Sequence, residues 1–235
     1  METHDKADIG IIGALNEEVE ELISKLTDHA AEEVGSILFH TGKLEGKSVV
    51  IAKCGVGKVF AALTAEAMII RYSPELIINT GVGGALKSGI SVTDTLIADK
   101  LVQHDMDTSP LGDPKGLISG INVVYFEASE KAVTIARASA EKLGIKSHVG
   151  TVASGDVFVS TKEQKDRIVS EFDASVCEME GAAIAQVAYV NKTAFAIIRA
   201  VSDSADEGSS MDYMKFLPIA AKNGAAITVE LCKAW

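Results

Sequence analysis

The sequence predicts an α/β fold in which helices cover a largely buried sheet. Short apolar runs alternate with longer helical patterns along the whole chain, and turns rich in glycine or polar residues separate them. The length of 235 residues favours one domain, residues 1–235, because α/β folds commonly reach about 200–250 residues as one unit. The composition, 47% hydrophobic and 23% charged, is typical of a globular protein with a sizeable core and excludes general disorder.

The first elements follow from apolar runs and the turns that bound them. Residues 8–15 are mostly apolar and predict a strand, after which Asn16 stands where a cap would begin a helix. Residues 36–54 contain two strand-like runs around the turn at 42–46, a pattern that predicts a hairpin.

Two glycine turns frame the next elements. The turn at 55–57 precedes a helical pattern over 58–72, and the apolar run 76–80 predicts a buried strand that continues into the glycines at 81–84. Further strands are predicted near 92–98, 121–125, 147–153, 174–179 and 194–201, and further helices near 129–143, 161–171, 181–190 and 212–232. The stretch 103–120 is long for a loop in a compact domain, and such loops often serve function or contact a partner.

The charge balance argues against polyanionic partners. The chain has 22 Lys and Arg against 33 Asp and Glu, a net charge of −11. This field would repel a nucleic acid backbone and an anionic membrane surface. We therefore expect neither nucleic acid nor membrane as a partner.

Cysteine usage and apolar patterning indicate a cytoplasmic protein. Cys54, Cys177 and Cys232 are far apart and show no disulfide or zinc spacing, which fits a reducing compartment. The segment Met1–Lys6 is polar and lacks the pattern of a signal peptide. No apolar run approaches the length of about 18 residues that a membrane span requires.

Two segments resemble nucleotide-binding motifs but lack their context. Residues 42–48, GKLEGKS, are one residue short of a phosphate-binding loop and lie between two predicted strands, so a hairpin turn is the better interpretation. Residues 55–60, GVGKVF, carry two glycines of a dinucleotide-binding fingerprint, but Phe60 occupies the position of the third and would obstruct helix packing. A dinucleotide cofactor is therefore not expected.

Acidic residues follow three of the predicted strands. Ligands of open α/β sheets bind at the carboxyl ends of the strands, so these positions are candidates for a site. Taken singly, each has a plainer alternative, because acids also suit the first turn of a helix or a polar turn. The positions are Glu17 and Glu18 after 8–15, Glu178 and Glu180 after 175–177, and Asp203 after 194–201.

Six blocks together resemble one protein family. They are Gly10–Ala14 with Glu17–Val19, Gly55–Val59, Asn79–Gly81, Ser154–Phe158, Glu178–Ala183 and Arg199–Asp203. In this order they are similar to the bacterial 5′-methylthioadenosine/S-adenosylhomocysteine nucleosidases of the purine nucleoside and uridine phosphorylase superfamily. The resemblance runs from about residue 8 to about residue 231. It implies a three-layer α/β/α sandwich with a central mixed, partly barrel-like sheet.

The resemblance also implies the reaction and three catalytic residues. The family hydrolyses the N-glycosidic bond of an adenine nucleoside through a transition state with positive charge on the sugar. Asp203 would protonate the leaving purine, Glu180 would hold the ribose hydroxyls and stabilise the sugar cation, and Glu18 would activate water. Carboxylates after the first strand would repel a phosphate dianion, which favours water over phosphate as the nucleophile.

Further residues match substrate-binding positions of the family. Phe158 and Val159 would border the adenine, Met179 would pack on the ribose, Ser202 would orient Asp203, and Tyr213 would cover the sugar and alkylthio side. For Phe158 core packing is an equally good interpretation. The full set of expected substrate-binding residues is Phe158, Val159, Met179, Glu178, Ser202, Val82, Gly84, Val56 and Tyr213. Val82 and Gly83 depart from the family's usual residues, so the ribose is expected to meet this turn through backbone atoms.

Other assignments remain open or are disfavoured. Alternatives to the nucleosidase are a nucleoside phosphorylase, an aminodeoxyfutalosine nucleosidase and a non-catalytic purine-binding protein. The family implies a homodimer in which loop 103–120 lies near the partner's pocket, and it implies no cofactor or metal. His104 has no second ligand at metal-binding spacing, and Arg199, inside an apolar strand, requires an acidic partner.

Overall fold

Strands and α-helices alternate along the computed structural model, which describes residues 6–207 and 209–235. The expectation about a signal peptide at the start of the chain therefore falls mostly outside the described residues. The strands are β1 (Ile9–Gly13), β2 (Thr27–Val34), β3 (Ile37–Leu44), β4 (Lys47–Lys53), β5 (Leu76–Ala85), β6 (Thr95–Gln103), β7 (Phe126–Glu127), β8 (Ser147–Ser154), β9 (Val176–Glu178) and β10 (Ala194–Asp203). The helices are α1 (Asn16–Ser24), α2 (Lys58–Tyr72), α3 (Glu130–Lys142), α4 (Lys162–Phe172), α5 (Gly181–Val190) and α6 (Ser209–Ala234), with a 3-10 turn at Ser109–Leu111.

Five strands close into a barrel within a larger mixed sheet. The hydrogen-bonded order β5-β10-β6-β8-β9 returns to β5, so this part of the sheet has no free edge. The first half of β5 pairs with β1, whereas Gly84 and Ala85 at its end pair with β9. From β1 the sheet continues through β4, β3 and β2. The expected mixed, partly barrel-like sheet is confirmed.

Helices cover both faces of the sheet and make the structure three-layered. One core joins β1, β4 and β5 to α1, α3 and α6 through buried residues such as Leu22, Ala136 and Leu231. A second core on the other face joins the same strands to α2 and α5 through residues such as Met68 and Ile184. Burial of these apolar faces, at roughly 25 cal/mol per Å², stabilises the stacking of the layers. None of the helices in the described ranges has the length and hydropathy to cross a bilayer.

The structure adds one strand that was not predicted and corrects three of the predicted elements. Strand β2 has no buried residue and so no apolar alternation, and only its pairing with β3 reveals it. The strand expected near 121–125 is instead a single bridge between Ile118 and Val123, followed by the short β7. The strand expected near 92–98 is β6, which begins and ends later. Helix α6 begins at Ser209, three residues before the expected start.

The turn at 42–48 is the hairpin between β3 and β4, as its position between two strands predicts. Helix α2 begins at Lys58 and ends at Tyr72, the predicted bounds. Neither residues 42–48 nor residues 55–60 form the nucleotide-binding loop that their glycines resemble. The first segment joins two strands. The second leads into α2, where Gly57 N and Lys58 N already donate to the side chains of Glu180 and Asp156.

Candidate active site

A cleft of about 200 Å³ opens where the carboxyl ends of β1, β5, β9 and β10 meet. The structure places all twelve expected catalytic and substrate-binding residues along this cleft, although they come from seven separate segments of the chain. The residues that line it are Ala14, Leu15, Glu18, Val56, Val82, Gly83, Gly84, Val157, Phe158, Val159, Cys177, Glu178, Met179, Glu180, Ser202, Asp203 and Tyr213.

Glu18, in the first turn of α1, accepts hydrogen bonds from three backbone N–H groups, two before the helix and one in β5. Its Oε2 accepts hydrogen bonds from Ala14 N at 2.6 Å and Leu15 N at 3.0 Å, and its Oε1 accepts one from Val82 N at 3.1 Å. This carboxylate, and not Asn16, satisfies the free N–H groups before the helix, which corrects the expected cap. Burial raises the pKa of Glu18, against the opposing effects of Arg199 and these N–H groups. The site therefore holds a carboxyl group of increased basicity in one orientation.

Asp203 ends β10 and is fixed on both carboxylate oxygens. Ser202 Oγ donates to its Oδ2 at 2.8 Å, and Ala205 N donates to its Oδ1 at 2.9 Å. Burial raises the pKa of Asp203 although both hydrogen bonds oppose that shift. A Cβ atom at Gly84 would lie 2.8 Å from Asp203 Oδ1, so only glycine leaves room for the carboxylate here. The arrangement favours a carboxyl group that can carry a proton.

Glu178 forms a buried ion pair with Arg199. Arg199 Nε lies 3.0 Å from Glu178 Oε2, and Arg199 Nη2 donates to the same oxygen and to Asn79 Oδ1. Burial acts to raise the pKa of Glu178, but the Arg199 charge, with hydrogen bonds from Ser154 and Gly181, lowers it below its ordinary value. Arg199 thus has the acidic partner that its place in an apolar strand requires.

Glu180 stands at the N-cap of α5 with one observed donor. Gly57 N donates to its Oε1 at 2.9 Å, and among the described residues no other hydrogen bond reaches this carboxylate. Burial and then the charge of Glu178 raise the pKa of Glu180 to about 7, against the opposing effect of Arg199. Glu180 therefore changes its charge near neutral pH, unlike Glu178 only two residues away.

An apolar wall faces the carboxyl groups. The rings of Phe158 and Tyr213 meet edge to face with centroids 5.8 Å apart and planes at 87°. Phe158 is 43% exposed, so it lines the cleft and does not fill a core, the alternative that its sequence left open. Val159 is buried beneath it and Met179 lies between Glu178 and Glu180. Flat rings beside apolar side chains suit a planar aromatic ligand.

Two acidic or titratable candidates lie outside the cleft. Glu17 is exposed, as expected of a solvated neighbour of Glu18. His104 is buried, and neither ring nitrogen has a hydrogen-bond partner within the described part of the chain. In that same part, no cluster of three or more His, Cys, Asp or Glu side chains has the arrangement of a metal site.

Sequence reasoning missed four lining residues. Ala14 and Leu15 directly follow β1, and Cys177 precedes Glu178 on β9, so their positions at strand ends were an available signal. Val157 lies in the loop after β8 and has no such signal. Burial raises the pKa of the Cys177 thiol far above its ordinary value, so this residue is an apolar part of the wall.

The electrostatic character of the cleft is acidic. Four carboxyl groups line it, from Glu18, Glu178, Glu180 and Asp203, and no Lys, Arg or His of the described residues does. Arg199, which binds Glu178, is itself only 1% exposed. An anionic ligand would be repelled by those of these groups that are ionised, whereas a neutral or cationic one would not.

Comparisons with known proteins give a consistent result. The sequence profile of the phosphorylase superfamily matches residues 8–233. A 5′-methylthioadenosine/S-adenosylhomocysteine nucleosidase of Haemophilus influenzae strain PittEE is 37% identical over 224 residues, which are 95% of this chain and 97% of that protein. The aminodeoxyfutalosine nucleosidase of Helicobacter pylori strain ATCC 700392 / 26695 is 36% identical over 218 residues, 92% of this chain and 94% of its own. The crystal structure of the 5′-methylthioadenosine/S-adenosylhomocysteine nucleosidase of Neisseria meningitidis, in complex with methylthio-immucillin-A, is similar with a TM-score of 0.94 and 34% identity, covering 97% of this chain and 99% of that one.

Proposed function

The chain belongs to the phosphorylase superfamily, and within it to the 5′-methylthioadenosine/S-adenosylhomocysteine nucleosidases; from this membership we propose the reaction and the role of each residue in the cleft. The enzyme is an N-glycosidase that hydrolyses 5′-methylthioadenosine and S-adenosylhomocysteine. Water adds to the anomeric carbon while the bond to the purine nitrogen breaks, so the products are adenine and the corresponding thioribose.

The leaving group is activated by Asp203. A purine anion is a poor leaving group, and protonation of the ring in the transition state lowers the barrier, an effect of general acids typically worth about 10²–10⁴ in rate. The raised pKa of Asp203 and its two fixed oxygens support this role, because a higher pKa leaves more of the group protonated at a given pH and the hydrogen bonds fix its orientation. Ser202 orients the group.

Glu180 acts on the sugar, and Glu18 acts on the attacking water. Glu180 accepts hydrogen bonds from the ribose hydroxyls and stabilises the positive charge that develops on the ring as the bond breaks. Glu18 takes a proton from the attacking water, and burial has raised its pKa toward the operating range of a general base. Glu178 does not react; it neutralises Arg199 and holds the N-terminus of α5 through Glu180 N and Gly181 N.

The observation that carries the choice of water is the absence of a cation in the cleft. A phosphorolytic enzyme must bind a phosphate dianion beside the anomeric carbon, and basic side chains or a free helix N-terminus supply that binding. In the described residues the cleft has four carboxyl groups and no basic side chain. Hydrolysis is therefore favoured over phosphorolysis.

A second substrate is supported by the relative from Helicobacter pylori. That protein is named an aminodeoxyfutalosine nucleosidase and is 36% identical to this chain. An aminodeoxyfutalosine also carries adenine on ribose, so the same three carboxyl groups can cleave it if the 5′ substituent fits. The part of the cleft that accommodates the 5′ substituent of the ribose therefore determines which adenine nucleosides are cleaved.

The test is product analysis with and without phosphate. The purified protein is incubated with methylthioadenosine, S-adenosylhomocysteine and aminodeoxyfutalosine, and adenine and the sugar product are identified. We expect free thioribose at equal rates in both buffers. A requirement for phosphate with a sugar phosphate as product identifies a phosphorylase, and binding without adenine release identifies a purine-binding protein.

We also propose that the chain is a homodimer. Helix α2 exposes Val59, Phe60, Leu63 and Ile70, which are 70%, 56%, 56% and 63% exposed, a large apolar surface for a single chain. Leu111, in loop 103–120, is 83% exposed. In the proposed dimer the second copy covers α2, and this loop lies near the neighbouring cleft. A cytoplasmic location is supported by the three unpaired, buried cysteines.

A further inference from the structure

Glu180 receives its hydrogen bond from a backbone group whose position must itself be fixed. The donor, Gly57 N, belongs to the turn before α2, where Gly55 and Gly57 have φ angles of 90° and 102°. Glycine has no side chain that could pack and restrict its φ and ψ angles, so a turn built on two glycines is conformationally flexible. Something outside the turn must hold it if the 2.9 Å contact between Gly57 N and Glu180 Oε1 is to persist.

Three residues close a ring of backbone and side-chain hydrogen bonds beside this turn. Lys58 N donates to Asp156 Oδ1 at 2.8 Å, Asp156 N donates to Asp105 Oδ2 at 2.9 Å, and Lys58 Nζ donates to Asp105 Oδ1 at 2.6 Å. We name Lys58, Asp105 and Asp156 the Lys58 ring. Its members come from the start of α2, the segment after β6 and the loop after β8, so it joins three parts of the chain that are otherwise separate.

The ring lies at the surface with Asp156 exposed, but its ion pair is partly shielded and connected to α5. The side chains of Lys58 and Asp105 are only 18% and 23% exposed, so their ion pair is less screened than a surface pair. Lys58 Nζ also donates to Gln103 Oε1 at 3.1 Å, and Gln103 Nε2 donates to Gln186 Oε1 at 2.6 Å. Because Gln186 lies on α5, the helix that Glu180 caps, the network reaches both sides of the Gly57 to Glu180 contact.

We propose that Lys58 is a positioning residue for the glycosidase reaction. Through the Lys58 ring it holds Gly57 N against Glu180 and so orients the carboxylate that binds the ribose. The same ring fixes the loop that carries Val157, Phe158 and Val159, because Asp156 precedes them. The proposal rests on the function proposed above. Lys58 is not among the residues that line the cleft.

Gly57 cannot be replaced without loss of this geometry. A Cβ atom there would lie 3.1 Å from Asp156 Oδ1, and its φ of 102° is one that residues with a side chain rarely adopt. The ring therefore acts on a position that the sequence must keep as glycine. Any residue but proline could supply the backbone N–H that binds Asp156, whereas the bond to Asp105 requires the ammonium group of the lysine side chain.

The test uses substitutions at two corners of the ring with opposite changes of charge. Lys58→Met removes a positive charge, and Asp105→Asn removes a negative one. For each variant and for the wild type, kcat and KM for methylthioadenosine are measured across pH. Lys58→Arg serves as the conservative variant, and Lys142→Met, which breaks the remote pair with Glu230, is the matched control.

We expect both ring variants to lose roughly tenfold or more in kcat/KM, since small displacements of a positioned group have effects of this order. Loss of the Gly57 donor disfavours the ionised form of Glu180, so the acidic limb of the pH profile moves to higher pH in both variants. A purely electrostatic effect of the deleted charges would move the limb in opposite directions. Lys58→Arg should recover most of the activity, and Lys142→Met should match the wild type.

A crystal structure of Lys58→Met gives a readout that needs no turnover. We expect the distance between Gly57 N and Glu180 Oε1 to exceed hydrogen-bonding range. An unchanged distance, or unchanged kcat/KM and pH limb in an active protein, overturns the positioning role. If the wild type releases no adenine, the proposed function fails instead, and the crystal distance still decides whether Lys58 positions Gly57.

Discussion

Arg199 and Glu178 form a buried ion pair at the base of the acidic cleft, with Arg199 Nε 3.0 Å from Glu178 Oε2 and side-chain exposures of 1% and 2%. The pair separates Glu178, whose pKa is lowered, from Glu180, whose pKa rises to about 7. Two carboxyl groups two residues apart thus have different charge states near neutral pH. Glu178 therefore has a structural role as the partner of Arg199, and Glu180 is left to bind the ribose in the proposed reaction.

Removal of Arg199 should be strongly destabilising. Arg199→Met leaves the Glu178 carboxylate buried without a counterion, which costs about 3–5 kcal/mol of unfolding free energy. The double variant Arg199→Met/Glu178→Met removes both charges and should regain a large part of that loss. Urea unfolding of the wild type and both variants measures this. A single variant that loses less than about 1 kcal/mol would show that the pair is not the structural base of the cleft.

Asp203→Asn should abolish turnover and retain binding. Asparagine keeps the shape of the side chain but cannot donate a carboxyl proton to the purine, so kcat falls by about 10²–10⁴. The dissociation constant for methylthioadenosine, measured by calorimetry, should change by less than the rate does. Circular dichroism serves as the control for folding. Retention of most of the wild-type kcat would remove Asp203 from the role of general acid.

Glu18→Gln should slow hydrolysis, while Glu17→Gln should not. The two residues are neighbours in α1, but Glu18 is 4% exposed and faces the cleft whereas Glu17 is exposed. Glutamine cannot take the proton of water, so kcat of Glu18→Gln falls by about 10²-fold or more. Steady-state rates of the two variants are compared at equal enzyme concentration. Equal rates would return Glu18 to the role of a helix cap.

Glu180→Gln should increase stability at high pH. The folded state holds the Glu180 proton up to pH about 7, whereas an unperturbed Glu releases it near 4.5, so the folded protein binds more protons between these values. Stability from this group is present below pH 4.5 and is lost as pH rises through 7. Above pH 7 the uncharged variant should be more stable than the wild type by on the order of 1–3 kcal/mol.

Thermal unfolding of Glu180→Gln and the wild type at pH 4 and pH 8 measures the difference, with the exposed Glu17→Gln as the control. We expect a gain that is present at pH 8 and small at pH 4, together with a large loss of kcat/KM. A gain of the same size at both pH values would contradict the linkage to the Glu180 proton.

Leu63→Asp should separate the proposed dimer. A charge in the middle of the exposed apolar face of α2 would have to be desolvated at a subunit interface, at a cost of several kcal/mol. Light scattering after gel filtration should report about twice the chain mass for the wild type and the chain mass for the variant. Lys142→Met, outside this face, controls for nonspecific effects. A monomeric wild type would contradict the dimer.

Most helices and strands could be predicted because turns and apolar spacing are visible within a short stretch of sequence. The helices α2 and α5 have the predicted bounds, since each begins after a clear turn; α2 carries buried residues at helical spacing, whereas the first five residues of α5 are all buried. Strand β2 had no such signal, because its exposed side chains show no alternation and only the hydrogen bonds of β3 define it. The cap of α1 was assigned wrongly to Asn16 because the group that binds Ala14 N and Leu15 N lies two residues further on, in Glu18.

The sequence by itself determined the α/β class, the acidic charge, the strand ends that carry Glu18, Glu180 and Asp203, and the family that these blocks resemble. Only the tertiary structure decided that Glu178 serves Arg199 and that Gly57 serves Glu180, because these partners are 21 and 123 residues apart in the chain. Pairing at that separation depends on the closure of the barrel and the packing of α2 against α5. Burial, the largest cause of the raised pKa of Glu18, Glu180 and Asp203, likewise exists only in the folded chain.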